Sequence, residues 1–531
     1  MTIVIARVIR VASAASVCAA VLLVGLIEPV NAAPEGQQLL RTYCSRCHHE
    51  NAGQFEHIST IRQTPEGWLM SLGRMHEAHG LVLKDDVRDA IVQYLSDTQG
   101  LAPGESLAGR FALERRPNVT DLDLGANINA TCGSCHSLAR VSLQRRNEEE
   151  WRRLARMHVE QWGSLGHKGP APDRAWVRIA TGAVASQLTA RYPFTTAAWP
   201  HWQKQPVADL GGIWTVVGHV PGGPDFHGME KIDRDSDGAY RATYELRAID
   251  GTPLEGQSKA IVYTGYEWRG DAKISGRALR EIYTVGPTGN KIGGRWFDAA
   301  HPEDGGEWLA FRNNGKGRII DMLPHALRTG TTTEVVIIGT DLENQQGSLS
   351  LGDGVIATNE QRDSHSIRVQ VKVAEEAKPG ARNVSVGSVG ALGLLAIYHQ
   401  IDQIEVTPKL ATARLGGGKV EPVWAQFEAI GSTRLASGEL LSLGAVPVEW
   451  NVVPFVTDGR DSDDYKLAGQ VNPRGRYVPT NTDPKPGRKF SRADVKDVWV
   501  IAESRDDDHV EGRGYLIVTL QGGQSRMPPI L

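Results

Sequence analysis

The chain has 531 residues, a formal net charge of −4 at neutral pH, 58 glycines and five cysteines. That length holds roughly three to five domains. The ordinary, mildly acidic composition excludes an electrostatic nucleic-acid footprint and disorder on a large scale.

The first segment carries Arg7 and Arg10, then an apolar run over residues 11–27. Glu28 and Pro29 lead to Val30-Asn31-Ala32-Ala33, with small residues where signal peptidase cuts. Residues 1–33 therefore read as a secretory signal peptide removed after Ala32 or Ala33. An uncleaved anchor is the alternative, but the run is short for a membrane span and rich in alanine and serine. Cleavage removes Cys18 and leaves no membrane anchor. The expected compartment is the periplasm.

Cys44-Ser45-Arg46-Cys47-His48 comes next, and it recurs as Cys132-Gly133-Ser134-Cys135-His136. Two thioether-forming cysteines followed at once by histidine are the attachment signature of c-type haem. The sulfurs add to the vinyl groups and the adjacent imidazole binds iron from below the ring. A thioredoxin-like dithiol would need a βαβ context that these flanks lack, and a zinc site would pool its cysteines in one short module. Cys44, Cys47, Cys132 and Cys135 are thus expected to hold two covalent haem c groups, with His48 and His136 as proximal iron ligands. No disulfide is then left to staple any later domain.

Cys44 and Cys132 are 88 residues apart, and the same features return after each motif. Gly67-Trp68-Leu69-Met70-Ser71-Leu72-Gly73-Arg74-Met75-His76 and the amphipathic residues 87–95 follow the first. Glu150-Trp151-Arg152-Arg153-Leu154-Ala155-Arg156-Met157-His158 and residues 175–188 follow the second. Leucine three residues before methionine, with tryptophan about two turns before it, places all three near one helix face. Residues 34–200 therefore read as a di-haem cytochrome c domain of two helical halves, about 34–108 and 109–200. Met75 and Met157 are the first choices for sixth iron ligand, with His76 and His158 one residue on, about 100° round the helix. His79 lies back on the methionine's face and competes with Met75. His49 and His57 read as surface or propionate-side residues.

After Trp199-Pro200 the texture becomes β. Gly212-Ile213-Trp214-Thr215-Val216-Val217-Gly218 and the runs over 240–246 and 260–266 carry β-branched and aromatic residues between glycine-rich turns. Residues 201–317 are expected to form an antiparallel barrel-like domain. Asp233-Arg234-Asp235-Ser236-Asp237-Gly238 opens like a calcium loop, but Tyr244 stands where the bidentate glutamate belongs, so a polar hairpin turn is the better reading. The strands of 318–408 suggest an immunoglobulin-like domain, and those of 409–531 a C-terminal β-sandwich whose charged residues 458–464 read as a loop. The fold class is multidomain α + β: a tandem helical cytochrome c domain followed by three antiparallel β domains. None of the β domains shows a nucleophile and base pair, a phosphate loop or a metal cluster.

This order of domains resembles the alpha subunit of quinohemoprotein amine dehydrogenase. Trp214-Thr215-Val216-Val217-Gly218-His219-Val220-Pro221-Gly222 and the region from Asp402-Gln403-Ile404 through Ala413-Arg414-Leu415-Gly416-Gly417-Gly418 to Ala425-Gln426-Phe427-Glu428-Ala429 are similar to that family's second domain and its third-to-fourth junction. The resemblance covers essentially the whole mature chain. It implies a heterotrimer with a β-propeller subunit and a small gamma subunit carrying cysteine tryptophylquinone, the cofactor that oxidises primary amines to aldehyde and ammonia. A soluble cytochrome c or cupredoxin would accept the electrons. The resemblance also implies one bis-histidine haem and one His/Met haem, with the first copy as the expected two-histidine site. Two other classes stay open: a di-haem cytochrome c peroxidase, which needs one iron free for peroxide, and a freestanding di-haem electron carrier with β binding domains.

Overall fold

A computed structural model describes residues 32–110, 122–133, 136–161, 175–417, 420–455, 464–481 and 496–520. Cys135, nearly all of the expected signal peptide and most of the charged stretch 458–464 lie outside these residues.

The N-terminal part is a duplicated helical module. Helix Ala32–Tyr43 runs into Cys44, and helix Pro65–His79 starts where the Thr64 hydroxyl accepts the Gly67 N–H and proline fills the first turn. It stops at Gly80, whose φ of 70° is the left-handed conformation that glycine adopts without a Cβ clash. Helix Asp85–Gln99 turns Ile91, Val92 and Leu95 onto a cluster with Leu40, Cys44, Phe55, Trp68 and Leu72. The second half repeats this plan. Helix Ala126–Cys132 leads into the second motif, and helix Glu148–Gln161 carries Trp151, which packs with Leu138, Val141, Val184 and Leu188. Helix Trp176–Ile179 continues through a wider π turn, Ala180–Val184, into Ala185–Arg191. Trp68 and Trp151 occupy matching places and are both buried.

The halves are stitched by an antiparallel ribbon of Ile61–Gln63 with Gln144–Arg146. Beside it Glu105 accepts two hydrogen bonds from Arg62, at 2.8 and 2.9 Å, and lies 3.4 Å from Arg145. All three side chains are almost wholly buried.

Eight strands follow as a closed antiparallel barrel, from Gly212–His219 to Gly305–Arg312, and these two close the ring. Strand Tyr240–Ala248 shows why it closes: every second residue, Tyr240 to Ala248, is buried and the others face out. A barrel of about eight strands is just wide enough to be filled by side chains. Trp214, Tyr244, Trp268, Tyr283 and Trp308 fill this one around two buried carboxyls. Glu281 accepts hydrogen bonds from Tyr244 and, at 2.9 Å, from Trp268 Nε1. Burial, then the neighbouring Glu281, pushes Glu230 well above the usual carboxylate range.

The barrel docks on the helical module through its turn at Thr264. Asp97 accepts the Thr264 N–H at 2.6 Å, Trp202 Nε1 donates to the Thr264 carbonyl at 2.8 Å, and Arg269 pairs with Glu66 at 2.6 Å. On its far side Val217 packs with Leu323, Val336 and Ile338 of the next module.

That module is two four-stranded sheets around Val335, Ile337, Ile367, Val369, Val371, Val384 and Val386. Among the described residues the last module holds a four-stranded and two three-stranded sheets around Val406, Phe427, Tyr477, Val498, Val500 and Leu516. Both correct the expectation of purely antiparallel pairing. Ala326–Arg328 runs parallel to Val389–Tyr398, and Leu410–Arg414 runs parallel to Glu511–Thr519. Side-chain alternation reports which face is buried and is the same for either strand direction, so sequence pattern cannot see this. In the last module strands Ala425–Gln426 and Glu428–Arg434 lie on either side of fully buried Phe427.

An ionic contact links the barrel to the last module. His219 lies 2.6 Å from Asp225 and 3.0 Å from Glu428. Burial opposes its charge, but hydrogen bonds to both carboxylates and their negative charge win and raise it to about 10. A histidine raised on folding gives stability that is complete below its unfolded value, about 6.5, and is lost as pH rises towards the folded value. His219→Gln is expected to flatten the decline of thermal stability from neutral to alkaline pH. An unaltered decline in melting temperature would remove this contact from the account.

Candidate functional site

The first motif is one helical turn at the end of helix Ala32–Tyr43. Cys44 N–H donates to Leu40 O at 2.8 Å, and Cys47 and His48 N–H both donate to Cys44 O, at 3.1 and 2.9 Å. These bonds put the backbone of Cys44, Cys47 and His48 on one turn. Cys44 is buried, Cys47 is exposed and Cys132 is half-buried. Burial pushes the thiols of Cys44 and Cys132 up to about 11. A dithiol redox pair needs the opposite shift, towards thiolate.

The histidines are oriented by the main chain. His48 Nδ1 lies 2.8 Å from Glu56 O, His136 Nδ1 2.9 Å from Ser137 O, and His158 Nδ1 2.7 Å from Leu154 O. A carbonyl only accepts, so Nδ1 carries the proton and Nε2 the lone pair, the tautomer that binds a metal. His136 and His158 have ring centroids 6.3 Å apart, and His158 is 6.2 Å from Trp176. Burial keeps His158 neutral, and the nearby Arg74, Arg146 and Arg140 charges add to that effect.

In the first half Met75 is half-buried, while His76 and His79 are exposed in the last turn of their helix. His76 Nδ1 is held by Leu81 O at 2.7 Å. His57 lies 6.5 Å from His48, but its Nδ1 meets Glu150 at 2.8 Å and its Nε2 meets Glu56 at 3.1 Å. It is a carboxylate-bound tie between the halves. Met157 is half-buried on the helix that carries His158.

Leu40, Phe55 and Leu95 line a cavity of about 390 Å³ with Arg62, Thr196 and Trp199, and among the described residues none of the motif residues or candidate sixth ligands lines it. Arg74 and Arg146 lie in the seam between the halves, and Arg74 Nε is buried without a hydrogen bond among the described residues. Sequence reasoning named neither arginine as functional, although Arg74 opens the repeated Arg-Met-His triplet. A second cleft, of about 770 Å³, lies between the barrel and the next module; His227, Arg247, Asp363 and His365 line it, and no motif residue reaches it.

A helical module bearing a thiol-thiol-imidazole turn, oriented histidines and apolar pockets, set on a run of β modules, defines a haem-binding multidomain protein. Comparison with known families is specific along the chain. Residues 34–199 match "Quinohemoprotein amine dehydrogenase A, alpha subunit, haem binding", and 207–313, 316–399 and 404–529 match domains II, III and IV of the same subunit. The chain belongs to the quinohemoprotein amine dehydrogenase alpha-subunit family. It is thus related to one subunit of a multi-subunit oxidoreductase.

No curated protein matches the chain. Among solved structures, a redesigned beta barrel, mFAP1, bound to DFHBI is 15% identical over 19% of this chain and 94% of its own, at a TM-score of 0.18. The teleost fish polymeric Ig receptor ectodomain is 9% identical over 39% of this chain and 100% of its own, at 0.21.

Proposed function

We propose that this chain is the two-haem electron-relay subunit of a periplasmic amine dehydrogenase. The observation that carries the proposal is the duplicated Cys-x-x-Cys-His motif in the sequence, each copy followed by its own buried-tryptophan helix, within the segment matching this family's haem-binding domain. Cys44 and Cys47 hold one haem c and Cys132 and Cys135 the other, with His48 and His136 as proximal ligands. When bound, each haem supplies a one-electron couple. Two such couples suit the two electrons released per amine by cysteine tryptophylquinone in a small gamma subunit. A β-propeller subunit completes the heterotrimer, and a soluble cytochrome c or cupredoxin takes the electrons onward.

His158 would supply the sixth ligand of the second haem, because the main chain holds both its Nδ1 and that of His136, which makes Nε2 the metal-binding nitrogen of each. The ring centroids of His136 and His158 stand 6.3 Å apart. With His76 and His79 exposed, Met75 is the sixth ligand in the first half. This moves the two-histidine haem to the second copy, where the sequence-based expectation put a methionine. Met157→Ala is then expected to leave the far-red sulfur-to-iron band intact, and Met75→Ala to abolish it. A band lost in the Met157 variant would return that role to the methionine.

The relay role is tested by reconstitution. The haem-loaded chain alone is expected to oxidise no amine, and the quinone-bearing partner to restore amine-dependent reduction of its haems. Steady amine turnover by the isolated chain would move catalysis into the β modules.

A further inference from the structure

The seam between the two helical halves holds more positive charge than it answers. Arg146 is 4% exposed, and its nearest carboxylate, Glu150, lies 4.0 Å away. Glu150 is itself 4% exposed and already holds His57 at 2.8 Å. Arg74 reaches into the same seam from the first half. Its Nη2 donates to Ser71 at 2.7 Å, its Nε is buried without a hydrogen bond, and among the described residues no carboxylate pairs with it. Arg140 stands at the exposed edge, and its charge bears on both Arg74 and His158. Three guanidinium groups, one buried, one half-buried and one at the exposed edge, thus face one carboxylate, an arrangement that favours an anion joining it.

We propose that Arg74, Arg140 and Arg146 form the binding site for the propionate carboxylates of the second haem, with Arg74 reaching across from the half that holds the first. This inference rests on the two-haem reading above. The chemistry is that of planar N–H forks meeting carboxylates, for which arginine is suited and lysine is not. The count agrees: two propionates balance the two positive charges left after Glu150. The location agrees too, because all three charges bear on His158, the group facing His136. The pair Arg74 and Arg146 also makes the second haem's electrostatics depend on the fold of the first half. A cation beside the haem favours the reduced iron, so the site raises the second couple.

The test measures each haem's midpoint by spectroelectrochemical titration of the full chain, the second haem in a Cys44→Ala/Cys47→Ala background and the first in a Cys132→Ala/Cys135→Ala background. Arg74→Gln and Arg146→Gln are each expected to shift the second couple's reduced-to-oxidised ratio about tenfold towards oxidised at a fixed potential, which is about 59 mV for one electron. Glu150→Gln is expected to shift it the other way, and this opposed sign separates charge from damage to the fold. The variants' midpoint should also gain a dependence on pH in the acid range, where propionates freed from arginine take up protons. Mass spectrometry reports haem content throughout. An unmoved second couple in Arg74→Gln with both haems present in the parent protein would overturn the proposal, and so would a larger shift in the first couple. A parent protein without the second covalent haem would instead overturn the two-haem reading.

Discussion

With Cys44 and Cys47 both changed to alanine, the protein is expected to retain one covalent haem in place of two, and with Cys132 and Cys135 changed it should lose the other. Each pair acts only locally because the motifs sit on separate helices with separate apolar clusters. The effect is all-or-none, since a haem without thioether bonds is held by axial ligation and burial and leaves under denaturing conditions. Mass spectrometry of the denatured protein reads the outcome directly. Two haems still attached after loss of Cys44 and Cys47 would end the reading of that motif. The high thiol values agree with this assignment: Cys44, pushed by burial up to about 11, is a protonated thiol at neutral pH and a poor partner for disulfide exchange.

The second large effect is on stability and falls on a residue with no place in the chemistry. Glu105 receives both nitrogens of Arg62, lies 3.4 Å from Arg145 and accepts the Ala102 N–H at 2.8 Å. Arg62 reaches onward to Phe194 O at 2.9 Å and to Thr196 at 3.1 Å. One carboxylate therefore joins the first half, the second half and the segment leading to the barrel. Glu105→Ala strands two buried guanidinium groups, a change expected to cost about 3–5 kcal/mol, or roughly ten degrees in melting temperature for a module of this size. Burial opposes its charge, but the Arg62 hydrogen bonds, the Ala102 N–H and the two cations lower it below the ordinary glutamate value. Its contribution is then present above the usual glutamate range and is lost as pH falls through the folded value. Thermal melts of Glu105→Ala and Glu105→Gln across acid and neutral pH check both statements. A melting temperature within a degree or two of the parent would show that water replaces the carboxylate.

The sequence by itself determined the features that local chemistry encodes. Cys-x-x-Cys-His is a contiguous reactive group, so both motifs and the histidines that close them were legible without a fold. The spacing of Trp68, Leu72 and Met75 gave the helix that carries that methionine, and the run over 240–246 gave most of strand Tyr240–Ala248 of the barrel. The family resemblance came from the same source, through domain order and the Trp214 and Asp402 segments.

Tertiary structure decided whatever depends on two distant stretches meeting. Met157 and His158 are neighbours on one helix, which helical periodicity cannot rank, and only the packed structure brings the His158 ring to 6.3 Å from that of His136. His57 reads in sequence as a surface or propionate-side residue; the structure adds that it ties Glu56 to Glu150 of the other half, where a ribbon joins Ile61–Gln63 to Gln144–Arg146. The parallel pairs at Ala326–Arg328 and Leu410–Arg414 stayed invisible because side-chain alternation carries no record of strand direction. The arginine seam is of the same kind. A single Arg74 in a sequence reads as a solvated charge; only when the halves close is its Nε buried in the seam with Arg146, whose paired carboxylate is Glu150. Charge compensation is a property of the assembled interior, set by which ions are brought together away from water.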